Sequence, residues 1–138
     1  MPEQAKSAAH PRPLSPHLQI YRWPVTMATS IVHRATGLAL AAGTLLVAWW
    51  LIAIVMGSAQ YDLFSKLARS PLGQLILLGL VWSLAYHLLN GIRHLAWDLG
   101  YGFDKHTAAR TGVLVFVLSV LAAIAVFVYA YAAKGVHL

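Results

Sequence analysis

His87 and His94 stand seven residues apart in the run Tyr86-His87-Leu88-Leu89-Asn90-Gly91-Ile92-Arg93-His94, inside a segment apolar enough to be one membrane-spanning helix. Seven residues are close to two helical turns, so both imidazoles fall on one face, about 10 Å apart along the axis. Ionisable groups at that depth are costly and need a function or a partner. His87 lies about 9 Å further along the axis than Arg93, too deep to reach the surface by bending its short side chain. Two roles stand open for it: a neutral histidine hydrogen-bonded across helices, or a ligand to haem iron.

The two histidines do not suit the two axial positions of a single haem. Iron-bound nitrogens lie on opposite sides of the metal, about 4 Å apart if the bonds resemble the ~2 Å of zinc sites. Side chains on one helix face instead point the same way. One histidine can ligate with help from elsewhere, and the other, nearer the polar boundary, can donate to a haem propionate, with Arg34 or Arg93 assisting. His10, His17, His106 and His137 lie outside the apolar segments and His33 is expected near the membrane surface, so the opposite ligand is expected from another chain.

The elements that position these groups follow from the apolar runs. The chain is 59% hydrophobic and only 10% charged, and uncharged stretches run from Ala35 to Tyr61, Ser70 to Ile92 and Thr111 to Ala133. Each exceeds the ~20 residues that cross a hydrocarbon core. The reading is an all-α membrane protein whose three transmembrane helices cover about 29–56, 70–97 and 109–133, after an N-terminal arm over 1–28 and with a loop around Asp62. The whole of 1–138 is taken as a single membrane-anchor domain. Three helices bury little against one another, so a protein partner is expected to complete the bundle.

Charge and composition narrow the function further. Seven basic residues (Lys6, Arg12, Arg22, Arg34, Arg93, Lys105 and Arg110) fall on one side of the spans and three (Lys66, Arg69 and Lys134) on the other. By the positive-inside rule the N-terminus is expected to face the cytoplasm, or the matrix if the membrane is mitochondrial. The net charge of +6 is dispersed at membrane edges, without the basic stripe of a nucleic-acid binder. No cysteine is present, which excludes disulfides, thioether-linked haem and cysteine-ligated clusters. The first residues lack the apolar core of a signal peptide and are read as mature sequence. Trp82 and Tyr86 lie too deep for an interfacial belt and are expected to pack against a neighbouring helix.

The antiparallel first and second spans bring Ser30, His33 and Arg34 to the same membrane leaflet as Arg93, His94 and Asp98. Ser30, His33 and Arg34 are spaced i, i+3, i+4 and share a helix face. A few donors at an apolar boundary suit a lipid-soluble carbonyl compound such as a quinone. Each group also has a plainer reading. Arg34 can reach lipid phosphate, Arg93 can pair with Asp98, and Ser30 can bond to its own helix carbonyl. Gly37 and Ala41 form a small-xxx-small step for which packing is expected, while for Gly91 cofactor clearance and helix packing both stand open.

At these residues the chain resembles the cytochrome b556-type membrane-anchor subunits of succinate dehydrogenase, respiratory complex II. The resemblance covers Arg12-Pro13-Leu14-Ser15-Pro16-His17-Leu18-Gln19-Ile20-Tyr21, then Ser30-Ile31-Val32-His33-Arg34-Ala35-Thr36-Gly37, then His87 through Asp98. It implies a bundle shared with a sister anchor subunit, a haem b ligated by His87 from one side and by a sister-subunit histidine from the other, and His94, Arg34 and Arg93 in the propionate region. It also implies a ubiquinone site at Ser30 and Arg34, completed by a tyrosine of the sister subunit and a tryptophan of the iron–sulfur subunit. The implied function is to dock the flavoprotein and iron–sulfur subunits and carry electrons from succinate oxidation to ubiquinone, with no catalytic residue in the strict sense. The arm ending in His17-Leu18-Gln19-Ile20-Tyr21 resembles mitochondrial and alphaproteobacterial members, and with no targeting presequence visible a bacterial inner membrane is expected. Two rivals are an anchor that binds neither haem nor quinone and, lower in rank, a small proton channel or transporter, against which the third span offers only Thr111, Ser119 and tyrosines as polar groups.

Overall fold

The computed structural model describes residues 20–133; the arm from Arg12 to Gln19, with His10 and His17, and the C-terminal Lys134 and His137 lie outside them. Pro24 sets an extended approach and its carbonyl accepts from the Met27 and Ala28 amides at 3.0 and 3.2 Å, opening α1, Val25–Met56. Gly57 stops it with φ 101°, a backbone conformation that glycine adopts without Cβ strain. A short α2 follows, Ser58–Arg69. Ser70 then caps α3, Pro71–Asp98, its Oγ accepting from the Gly73 amide at 3.1 Å, while Pro71 fills the first helical position where no N–H is needed. Asp104 opens α4, Lys105–Ala133, by accepting from the Thr107 amide at 2.9 Å.

Helices α1, α3 and α4 are long and apolar enough to cross a membrane. Central among them is α3, which packs against each of the others. The seams are narrow and made of small or polar residues, as expected where lipid competes equally for large apolar side chains. Thr29, Thr36 and Gly43 are buried at seven-residue steps along α1, facing Ser83, Tyr86, Asn90 and Arg93 of α3 and Ala108, Gly112, Val115, Ser119 and Ala123 of α4. The two aromatics placed deep in α3 find partners on neighbouring helices. Tyr86 donates to the Thr29 carbonyl at 3.1 Å, and Trp82 donates from Nε1 to Ser119 Oγ at 3.1 Å. Outside these seams, Leu38, Leu45, Leu84, Leu88 and Leu95 are exposed, a surface that requires lipid or another protein.

The connection around Asp62 is a helix where a loop is expected. Its twelve residues place Phe64, Leu67 and Ala68 toward α1 and α3 and leave Asp62, Lys66 and Arg69 exposed. It is too short to span, so a length criterion on uncharged runs passes over it.

Candidate functional site

Near the end of the bundle where α1 begins and α3 ends, three imidazoles lie together. The His33 ring sits between the other two, stacked on His87 with centroids 4.0 Å apart and planes 10° from parallel, and 5.1 Å from His94 at 17°. All three are half-buried. Thus the antiparallel helices close the two-turn gap between His87 and His94 by inserting a side chain from α1. Sequence reasoning brings His33 to the same leaflet as His94 but does not predict that its ring lies between His87 and His94.

His87 is held from behind. Its Nδ1 lies 3.2 Å from the His33 carbonyl oxygen and 3.4 Å from Thr36 Oγ1. A carbonyl can only accept, so Nδ1 carries the hydrogen and Nε2 keeps its lone pair. Among the described residues no hydrogen bond engages that Nε2. Gly37 lies under the ring, where a Cβ would sit 3.0 Å from His87 Cε1, so the packing role expected for Gly37 is one of making room for this imidazole. His94 has the same arrangement, with Nδ1 donating to the Asn90 carbonyl at 2.8 Å.

This chemistry fits a haem ligand. The free nitrogen would be available to iron, and a main-chain oxygen behind the ring is the usual means of fixing a ligand histidine. Gly91, one turn from His87, has nothing of the described chain within 4 Å of where a Cβ would stand. Packing against another helix of the described chain is therefore not its role, and the helix surface at Gly91 is open. His33 Nδ1 is buried without a hydrogen-bond partner among the described residues, a further polar atom awaiting a contact. Nor can His33 supply the second axial ligand. Lone pairs lie in the ring plane, so rings stacked face to face present their nitrogens side by side instead of across a metal.

Arg93 does not join this face. It is 7% exposed and turned between the three spans, donating to Ala108 O at 2.7 Å, Thr111 Oγ1 at 3.1 Å, Asn90 Oδ1 at 3.1 Å and Thr29 Oγ1 at 3.5 Å, with its guanidinium 4.1 Å over the Trp97 ring. None of these hydrogen bonds is made to the three imidazoles, and no ion pair joins Arg93 to Asp98 among the described residues. Six helical positions separate it from His87, which turns it by about 120° away from the histidine face. Here Arg93 ties α1, α3 and α4 together through neutral oxygens.

Ser30 and Arg34 lie on the exposed side of α1, one turn apart, with Arg34 Nε donating weakly to the Ser30 carbonyl at 3.4 Å. Thr29, Thr36 and Thr44 turn their hydroxyls onto carbonyls three residues back. Ser30 makes no such bond among the described residues, so the plainer reading of a serine satisfied by its own helix does not hold there.

A bundle of three apolar spans with three stacked histidines gathered at one end defines a multi-pass membrane subunit. The family model for the succinate dehydrogenase/fumarate reductase transmembrane subunit matches residues 8–126, and the chain belongs to that family. It is thus a membrane subunit of an oxidoreductase complex and does not carry out the catalytic reaction alone. The chain is 46% identical over 122 residues to the succinate dehydrogenase cytochrome b556 subunit of Paracoccus denitrificans, covering 86% of this chain and 94% of the relative. It is 42% identical over 111 residues to the cytochrome b556 subunit of Rickettsia typhi (80% and 86%), and 42% identical over 123 residues to the mitochondrial cytochrome b560 subunit of Sus scrofa (86% and 72%).

Proposed function

We propose that this chain is the haem b-binding anchor of a succinate:ubiquinone oxidoreductase, holding the iron with His87 and forming part of the ubiquinone site with Ser30 and Arg34. The observation that carries the reading is the His87 imidazole, backed by the His33 carbonyl with Nε2 unengaged beside the open face at Gly91. A histidine from a sister anchor subunit would hold the haem together with His87, as the stacked His33 ring cannot. When bound, the haem supplies a one-electron carrier within the membrane. His94 and His33 supply the imidazoles nearest to that ligand and contribute the contacts to its propionates, together with Arg34.

The residues of this chain have separate tasks in quinone reduction. Ubiquinone takes up two electrons, delivered from succinate oxidation through the flavoprotein and iron–sulfur subunits, and two protons from the nearby aqueous phase. Ser30 donates a hydrogen bond to one quinone carbonyl. Arg34 stabilises negative charge as the ring is reduced, by the same logic that stabilises a developing oxyanion. The N-terminus and this site face the cytoplasm of a bacterium, where the soluble subunits dock, since described basic residues are concentrated at that end.

The test is made on the purified complex. A b-type absorption spectrum on dithionite reduction and its absence in His87→Ala are expected. Ser30→Ala and Arg34→Ala lower ubiquinone reductase activity by about tenfold or more and leave succinate oxidation by a soluble artificial acceptor intact. Unchanged ubiquinone reduction in both variants overturns the quinone assignment.

A further inference from the structure

Toward the opposite end of the bundle from the histidines, about 20 Å along α3 from His87, lies a half-open apolar cavity of about 220 Å³. It lies between α1, α2 and the first turns of α3, with Trp49, Phe64, Ala68, Gly73 and Ile76 among its walls. Its shape is set by two close approaches. Trp49 and Phe64 meet edge to face at 5.0 Å, joining α1 to α2. Gly73 packs against the Leu67 and Ala68 carbonyls of α2, where any Cβ would collide with backbone.

The helix that roofs this cavity is amphipathic. Phe64 and Ala68 line it, with Leu67 at its exposed edge, while Lys66 and Arg69, next in the chain to Leu67, Ala68 and Ser70 of the lining, are exposed, as is Asp62. Such a helix lies in the membrane interface with its charged face among the headgroups. Arg69 immediately precedes Ser70, which lines the cavity rim and caps α3. A greasy chamber that opens beside two cations and one carboxylate is complementary to a molecule with an alkyl chain and a negative headgroup.

We infer that the cavity under α2 binds one acyl chain of an anionic phospholipid whose phosphate is held by Lys66 and Arg69. The chain enters the chamber between Trp49 and Ile76 and the headgroup remains at the exposed face of α2. A single basic residue beside anionic headgroups is worth roughly fivefold in affinity, and the two basic residues less Asp62 leave about that preference over a zwitterionic lipid.

The experiment uses the intact complex in nanodiscs that contain a small fraction of lipid with brominated acyl chains, as phosphatidylglycerol or as phosphatidylcholine. Quenching of Trp49 is read as the difference between the native complex and a Trp49→Phe complex. Brominated phosphatidylglycerol is expected to quench Trp49 at roughly fivefold lower mole fraction than brominated phosphatidylcholine, and the exposed double variant K66Q/R69Q is expected to erase the difference. Equal quenching by the two headgroups in the native complex means ordinary bulk lipid and overturns the proposal. No quenching by either means that a neighbouring subunit fills the chamber, and overturns it as well.

Discussion

The Nδ1 of His87 donates to the main-chain oxygen of His33 on the antiparallel helix, 3.2 Å away. Because the acceptor is backbone, its position is set by the α1–α3 seam and not by the identity of residue 33. The orientation of the His87 ring is therefore a property of how the helices pack, and Gly37 is the point at which α1 comes against that ring.

Gly37→Ala should disturb the cofactor without unfolding the bundle. The added Cβ meets His87 Cε1 at 3.0 Å, so the ring must shift by a few tenths of an ångström and loosen its bond to the His33 carbonyl. Loss of the hydrogen bond behind a metal ligand typically costs roughly tenfold in affinity. Haem content of the purified complex, measured after a mild detergent wash, should fall accordingly, and Gly37→Val should fall further.

Arg93→Ala should act on stability. Arg93 donates four hydrogen bonds across α1, α3 and α4. At about 0.6 kcal/mol each within a membrane, their loss amounts to roughly 2 kcal/mol. Thermal denaturation of the complex in detergent should show a lower Tm, with haem absorbance per folded complex unchanged. A normal Tm with haem lost would return Arg93 to the cofactor.

Much of the architecture is legible in the uncharged runs, because twenty apolar residues have few alternatives to crossing a bilayer. The parts that sequence reading misplaces share a cause, which is that neighbours along the chain are not neighbours on a helix. Arg93 precedes His94 directly, yet one helical step turns it 100° into the interior. His33, expected only in the same leaflet as His94, sits between His87 and His94 because α1 packs against α3 at that level. Helix α2 was detectable from the alternation of Phe64, Leu67 and Ala68 with Asp62, Lys66 and Arg69, a pattern that average hydropathy conceals.

Acid should loosen the start of α4. Hydrogen bonding to Thr107 holds the Asp104 carboxyl below its ordinary pKa. A depressed folded-state pKa means that the ionised cap contributes stability above the ordinary carboxylate range and loses it as pH falls through the folded value. Hydrogen exchange at the Thr107 and Ala108 amides should accelerate on acidification beyond the intrinsic pH trend. In Asp104→Asn, whose cap does not titrate, the extra acceleration should disappear.

Identification of the iron ligand is the most direct test of the account. Near-infrared magnetic circular dichroism of the oxidised complex distinguishes two imidazole ligands from one imidazole and one thioether. The native complex is predicted to give the two-imidazole signature and His87→Met the mixed one, with a raised midpoint potential. A two-imidazole signature that persists in His87→Met would contradict the assignment.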